Sequence, residues 1–308
     1  MSVVGTVLVL RPETEGRSPN SGDGTSEFAS ANDTGPANII TEDPTCEAWT
    51  KIAHGLEKAV PEWNKLDYSV AAAGWTPEQK AVFERQGAAL TGAIPGAANL
   101  AKQTPHRVMR ELYGQFNAYA QAVIDSISTY SSSDNTIVAA SNQFTGALNR
   151  VCDAIYYRAA QQTSPLIPPP AEPSVIQEPG SADSIVPEQF LKSGDRSCSA
   201  WIEMVERFNN DAKPWRGIDS KISAAEWTPD QKAVMDATAT LMATYADDME
   251  RLGRESDNAA WEDFAVLAAQ YMRAYVQAIP TYSGNVSYLA SQSTLLASAI
   301  HWACKANL

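Results

Sequence analysis

A chain of 308 residues exceeds the usual length of one domain and predicts two, each large enough to bury a core. Its 23 Lys and Arg against 36 Asp and Glu leave a net charge of −13, which repels phosphate backbones and offers no basic stripe, so nucleic-acid binding is excluded. The same excess of carboxylates excludes electrostatic docking on anionic lipid, so any membrane attachment has to be hydrophobic and has to come through the N-terminus.

Residues 1–10 contain the apolar run Val3 to Leu10, ended by Arg11. Spanning a bilayer takes about 20 apolar residues, and neither a basic region nor a small-residue cleavage site flanks the run. It reads as an apolar tail that could be the outer end of a membrane anchor, the alternative being a disordered or locally packed tail. Residues 11–45 are rich in Ser, Gly, Asn, Asp, Thr and Pro, a composition that predicts a disordered stalk.

From Cys46 onward the chain repeats itself. The copies are 46–157 and 198–308, and adding 152 to a residue number superimposes 46–156 on 198–308 without a gap. Cys46 falls on Cys198, Trp49 on Trp201, Trp63 on Trp215, Trp75 on Trp227, Tyr130 on Tyr282 and Cys152 on Cys304. A period of this length is a repeat of whole domains, not a solenoid.

Within each copy the apolar spacing is helical. Helix one opens at about Cys46 and Cys198 and is bent or stopped near Pro61 and Pro214. Helix two opens on a capping box, with Thr76 and Thr228 as N-caps, Pro77 and Pro229 at the first helical position, and Gln79 and Gln231 reaching back. Lys102 and Arg254 place positive charge at its end, and Thr104-Pro105 and Ser256-Asp257 offer the next cap. Helix three carries Val108, Leu112, Phe116, Tyr119, Val123 and Ile127 in steps of three or four. Helix four carries Ile137, Ser141, Phe144, Leu148, Val151 and Ile155 in the same steps. No segment alternates with period two, so the prediction is all-α, a tandem duplication of a four-helix bundle-like domain.

Residues 158–197 join the copies and hold Pro165, Pro168, Pro169, Pro170, Pro173 and Pro179. Extended polyproline geometry there would space the domains apart; an ordered strap along the second bundle is the alternative. Four cysteines allow three connectivities. In an up-down-up-down bundle the start of helix one and the end of helix four share one end, which favours Cys46 with Cys152 and Cys198 with Cys304, one disulfide per copy. Four buried thiols are the alternative. Disulfides persist in oxidising compartments, so this pairing predicts an extracytoplasmic protein.

Little in the sequence points to catalysis. His54, His106 and His301 correspond to Glu206, Asn258 and Asn149, so the copies share no imidazole. No nucleophile elbow, glycine-rich phosphate loop or close Cys and His ligand pair occurs, and neither a cofactor nor a metal is predicted. Matched acids exist, namely Asp67 with Asp219, Glu78 with Asp230, Glu84 with Asp236 and Glu111 with Asp263. Their simplest roles are caps, helix-dipole partners and solvated faces.

Tryptophan is the unusual feature, because six of the eight pair across the repeat. Large amphipathic rings suit cores that meet loops, and also binding surfaces. Packing of helix one on the connection to helix two is one reading; a binding surface lined by Trp75, Trp227, Tyr130 and Tyr282 is the other. Positions expected to be exposed diverge, with Arg107 facing Ala259, His106 facing Asn258, Asp125 facing Gln277 and Arg150 facing Trp302. That divergence predicts that one copy carries most of the binding.

The anchor-like start, the stalk, the repeated Cys-x-x-Trp opening and the Trp75-Thr76-Pro77-Glu78-Gln79 cap together resemble conserved membrane-anchored extracytoplasmic proteins of mycobacteria and related actinobacteria. The resemblance covers both repeats and implies an envelope location without supplying catalytic residues. The expected function is a non-catalytic envelope module that binds a partner protein or an envelope lipid or glycan. An accessory or sensor subunit of a membrane complex is a second possibility, and an enzyme using the paired carboxylates a third.

Overall fold

The computed structural model describes residues 27–176, 184–192 and 194–308. The apolar tail at 1–10, the stalk as far as 26 and the linker position Pro179 lie outside the described residues. The helical spacing of each copy becomes four principal helices. In the first copy these are α1 (Cys46–Ala59), α2 (Pro77–Gln103), α3 (Arg107–Ser126) and α4 (Asn135–Tyr156), followed by the short α5 (Ala159–Thr163). The second copy has α6 (Cys198–Asp211), a single turn α7 (Lys213–Arg216), α8 (Pro229–Glu255), α9 (Ala259–Ala278) and α10 (Ser287–Ala306). No strand occurs among the described residues, and the fold is all-α.

The capping boxes form at both predicted positions. Thr76 Oγ1 accepts from the Gln79 backbone N–H at 3.2 Å, while Gln79 Oε1 accepts from the Thr76 N–H at 2.9 Å. Thr228 and Gln231 repeat the pair at 3.2 and 2.9 Å. The next caps, expected at Thr104-Pro105 and Ser256-Asp257, instead lie at His106 and Asn258. Thr104 is drawn away because its hydroxyl donates to Asp43 Oδ2 at 2.5 Å. Asn258 caps α9 by accepting from the Trp261 N–H at 3.1 Å.

Disulfides join Cys46 to Cys152 and Cys198 to Cys304, each across a sequence separation of 106, so each copy is clasped between its first and last helices. Closing a loop of this size restricts the unfolded chain by about 4.7 kcal/mol in the chain-entropy treatment.

The two copies do not stand apart. The most extensive helix pairing among the described residues is α4 on α10, and α3 also touches α9. Each of these helices meets its own counterpart, so the copies pack about an approximate two-fold axis. At Gly146 the approach is so close that a Cβ there would meet the Leu295 side chain at 3.1 Å.

Two expectations are therefore corrected. Residues 27–45 are no free stalk, because Ala37, Ile39 and Ile40 are buried and Asp43 is held among Thr45 and Thr104. Average composition hides this, since three apolar residues suffice to seat a short segment. The linker likewise spaces nothing: its described part is an ordered strap across both copies. Gln115 donates to the Glu188 carbonyl at 3.1 Å and accepts from the Phe190 N–H at 2.9 Å, and Asn117 donates to the Ile185 carbonyl at 2.7 Å. Phe190 lies edge-on to Phe144 of one copy and Phe264 of the other, at 6.0 and 5.6 Å. Upstream, Arg254 donates to the carbonyls of Ala171 and Glu172. Extended chain leaves its backbone groups unpaired, and these amides and the guanidinium satisfy them.

Replacing Thr76 or Thr228 by Ala should cost about 0.5–2 kcal/mol per site. Thermal melting followed by circular dichroism should show a lower midpoint for the double variant and nearly full recovery in the Ser pair.

Candidate functional site

The four aromatic residues singled out in the sequence have different fates in the two copies. In the first, Trp75 stacks on Phe83 at 4.0 Å, Phe83 lies 4.9 Å from Tyr130 and 5.1 Å from Trp63, and Tyr68 lies 5.0 Å from Trp63. The polar tips are used inward. Tyr68 donates to the Trp63 carbonyl at 2.6 Å, Tyr130 donates to the Tyr68 carbonyl at 2.8 Å, and Trp63 Nε1 donates to Asn142 at 3.0 Å. Tyr130 is 2% exposed, and burial pushes the Tyr68 hydroxyl up to about 12. Tyr130 therefore belongs to the core, and Trp75, half-buried, is stacked against it through Phe83.

The second copy keeps the same backbone frame. Ala72 N–H to Tyr130 carbonyl, at 2.8 Å, becomes Ala224 N–H to Tyr282 carbonyl at 2.9 Å. Trp75 Nε1 donates to Val70 at 2.8 Å, and Trp227 Nε1 donates to Ile222 at 3.2 Å. Tyr282 donates to the Ser220 carbonyl at 2.8 Å, as Tyr130 does to Tyr68.

Inside that common frame the side chains change. Phe83 and Val123 are replaced by Met235 and Tyr275, which keeps one central ring but brings it from α9. Tyr275 lies 5.9 Å from Trp215 and 6.0 Å from Tyr282, and its hydroxyl accepts from Trp215 Nε1 at 2.8 Å. Tyr68 is replaced by Ser220, and no other ring takes the vacated place. A cleft of about 810 Å³ opens, lined by Trp215, Ser220, Trp227, Met235, Tyr275 and Tyr282.

One wall of this cleft belongs to the first copy. Arg150 and Tyr157 reach across from α4 and its C-terminal end. Tyr157 stacks on Tyr288 at 4.8 Å with planes 5° apart, and the Arg150 guanidinium lies 5.5 Å from the Tyr288 ring centre. Asn285 secures the wall by donating to the Tyr157 carbonyl at 3.2 Å. Immediately afterwards Arg158 adopts a left-handed φ of 63°, which breaks α4 there and turns the chain away. Arg150, Arg216 and Lys221 give the lining a positive balance against Asp219 in a chain whose net charge is −13.

A second feature lies on the axis between the copies. Arg107, expected at the surface, is 2% exposed and binds Asp263 through two hydrogen bonds of 2.8 Å. Its position at the start of α3 faces α9, where the corresponding residue is only Ala259. Burial opposes the guanidinium's charge, but its bonds to Asp263 and the charges of Asp263 and Glu111 outweigh that and raise its pKa. Glu111, the counterpart of Asp263, stands beside the pair with Oε1 3.9 Å from Arg107 Nε, and neither of its carboxyl oxygens has a hydrogen-bond partner. Burial first, and the charge of Asp263 second, hold its pKa well above the ordinary carboxylate range. Glu111 also lines a cavity of about 730 Å³ beneath the strap, together with Gln115, Asn117, Ile185 and Phe190.

The other matched acids do ordinary structural work. Asp67 and Asp219 close turns onto Ser69 and Lys221, Glu78 and Asp230 sit in first turns, and Glu84 and Asp236 pair with lysines one turn away. Among the described residues no three His, Cys, Asp or Glu side chains converge as metal ligands, and no helix is long and apolar enough to cross a membrane.

Sequence reasoning names Trp227 and Tyr282, and Arg150 as a divergent exposed position, but misses Ser220, Tyr157, Tyr275 and Tyr288. The loss of a ring at Ser220, inside an otherwise matched stretch, was the available signal.

Comparison with known proteins places these features in context. The family described as mycobacterial ESX-1 associated protein matches residues 28–308. An uncharacterized protein of Mycolicibacterium smegmatis (strain MKD8) is 36% identical over 282 residues, covering 91% of this chain and 74% of its own length. No solved structure matches.

The raised pKa of Glu111 fixes a pH dependence. In the folded state its carboxyl keeps a proton that the unfolded chain releases above its ordinary value of 4.5. This contribution to stability is fully present below that value and is lost as pH rises through the folded pKa. Glu111→Gln should abolish that part of the dependence, leaving the variant at least as stable as the wild type at neutral pH. Melting temperatures of both proteins between about pH 4 and 8 check it; parallel curves would refute it.

Proposed function

Since the chain belongs to the mycobacterial ESX-1 associated family, we propose that it is a non-catalytic, extracytoplasmic binding component of that secretion system's surroundings. It holds its partner in the aromatic cleft of the second copy. The observation that carries this reading is the contrast between the copies: one scaffold, the same hydrogen-bonded frame, a packed ring in one half and an open cleft of about 810 Å³ in the other.

Two further features support it. Both disulfides suit an oxidising compartment. The walls are also pre-formed, because Trp215, Trp227 and Tyr282 each spend their polar atom on the protein. A ligand therefore meets ring faces already fixed, and little ordering entropy is lost on binding.

The catalytic reading has less behind it. Of the acids that meet, only Glu111 lines a cavity, while Asp263 is bound at both oxygens by Arg107. Glu111 is left beside an acid already committed to Arg107, not beside a free acid or base with which it could divide such chemistry.

Ser220→Tyr refills the cleft from within, in the manner of Tyr68. Affinity capture from intact envelope, followed by mass spectrometry of proteins and lipids, should recover partners with the wild type that are depleted with this variant. Equal recovery by both would remove the cleft from the function.

A further inference from the structure

The first copy shows what the cleft of the second copy is shaped to receive. Where Ser220 leaves space, the first copy inserts the Tyr68 ring, set 5.0 Å from Trp63 and tilted 52° to it. Trp215, the counterpart of Trp63, lines the cleft. We propose, building on the assignment of the cleft as the binding site, that its occupant is a tyrosine or phenylalanine side chain carried on an acidic segment of a partner protein.

Three observations converge on that chemistry. The missing group is an aromatic ring, and the frame that held it in the first copy is preserved to within a few tenths of an ångström in its hydrogen bonds. The remaining walls present the partly buried rings of Trp215 and Trp227, backed by the buried Tyr275 and Tyr282, and such indole surfaces favour a further ring in edge-on or offset geometry. Around them Arg216 and Lys221 outnumber Asp219, while Arg150 shares its charge with Asp153. A segment bearing carboxylates beside its aromatic residue is therefore attracted to this place on a chain whose net charge of −13 repels acidic partners on average. The cleft also extends onto Tyr157 and Tyr288, so the residues flanking the inserted ring have a wall to follow.

A neutral glycan would use the ring faces but gain nothing from the three cations, which is why the protein segment is favoured. Arg150 and Arg216 are themselves braced, by Asp153 and by Asn209 respectively. Arg216 therefore acts as a fixed charge, uncompensated among the described residues, Arg150 as one half of an ion pair, and Lys221 is the adaptable one.

The probe is the peptide acetyl-Asp-Glu-Tyr-Glu-Asp-amide, titrated into full-length protein carrying 15N-labelled tryptophan. The indole N–H signals of Trp215 and Trp227 should shift saturably, while those of the closed counterparts Trp63 and Trp75 stay in place. An analogue with Leu at the centre should bind about two- to tenfold more weakly, the factor expected of one aromatic pairing. Replacing the flanking acids by Lys should also weaken binding, and raising the salt concentration should weaken the acidic peptide alone.

Ser220→Tyr should abolish the shifts, whereas Ser220→Ala should keep them. Should Ser220→Tyr fail to fold, Lys221→Glu is the second variant, expected to weaken the acidic peptide and leave the lysine-flanked one unweakened. The proposal falls if the tyrosine and leucine peptides bind alike, if neither binds, or if maltotriose saturates the same signals while the tyrosine peptide does not. Envelope capture that depends on Ser220, together with any of these results, would leave the cleft as the binding site and overturn only its assignment to an aromatic side chain.

Discussion

The packing of α4 on α10 is the constraint from which most of the architecture follows. Each of these helices is fastened on one side to the first helix of its own copy by a disulfide, and on the other it lies along its counterpart from the other copy. A helix held on both sides has no freedom to reorient without disturbing both bundles. Close approach is permitted by Gly146, where any larger residue would press on Leu295. The strap then crosses the same seam, with Phe190 inserted beside Phe144 and Phe264. A core shared between copies in this way makes one folded body from two repeats, and it brings Arg150 and Tyr157 of the first copy to the edge of the second.

Approximate two-fold packing also creates an electrostatic difficulty. Residues near the axis meet their own counterparts, so a conserved acid faces an acid. Glu111 and Asp263 are such a pair, and both are removed from water. Leaving two uncompensated carboxylates there would be costly. The sequence resolves this asymmetrically: Arg107 exists in one copy only, and it serves Asp263 with a two-pronged bond while Glu111 takes up a proton instead. Perfect symmetry would have supplied a second arginine where the chain has Ala259. Divergence between the copies at this position is thus a packing requirement, not a surface specialisation.

The repeat, the helices, the capping boxes and the disulfide pairing were all legible in the sequence because each depends on local chemistry or on a single fixed offset. Thr76 with Gln79, or Cys46 with Cys152, needs no knowledge of the other copy. What could not be read depends on contacts between distant segments. Arg107 looked exposed because its own helix offers it only Glu111, one turn on, while the acid that takes both prongs of its guanidinium lies 156 residues away. Ile39 and Ile40 looked too sparse to fold because their seat is made by helices that come later in the chain. The prolines of the linker suggested a spacer, since composition records stiffness but not the amides of Gln115 and Asn117 waiting to receive the backbone. The aromatic site fell between these cases: Trp227 and Tyr282 were visible by their pairing with Trp75 and Tyr130, but whether a pair of rings is core or cleft depends on what fills the space between them.

That last point bears on how a duplicated domain comes to have a function at all. A new cleft need not be built by adding recognition groups to a surface, where each added side chain would have to be ordered and held. Here a half-buried position packed against the core loses its ring, and the groups that were arranged to pack Tyr68 in one copy become, in the other, walls already oriented and hydrogen-bonded. The change of Phe83 and Val123 to Met235 and Tyr275 keeps the central ring, so the surrounding core does not collapse into the gap. Removing even a half-buried ring from a solitary domain forfeits packing that the rest of the core relies on. In this chain that cost falls on a bundle closed by a disulfide and buttressed along α10 by the other copy, so the second copy can carry an open site because the first remains packed.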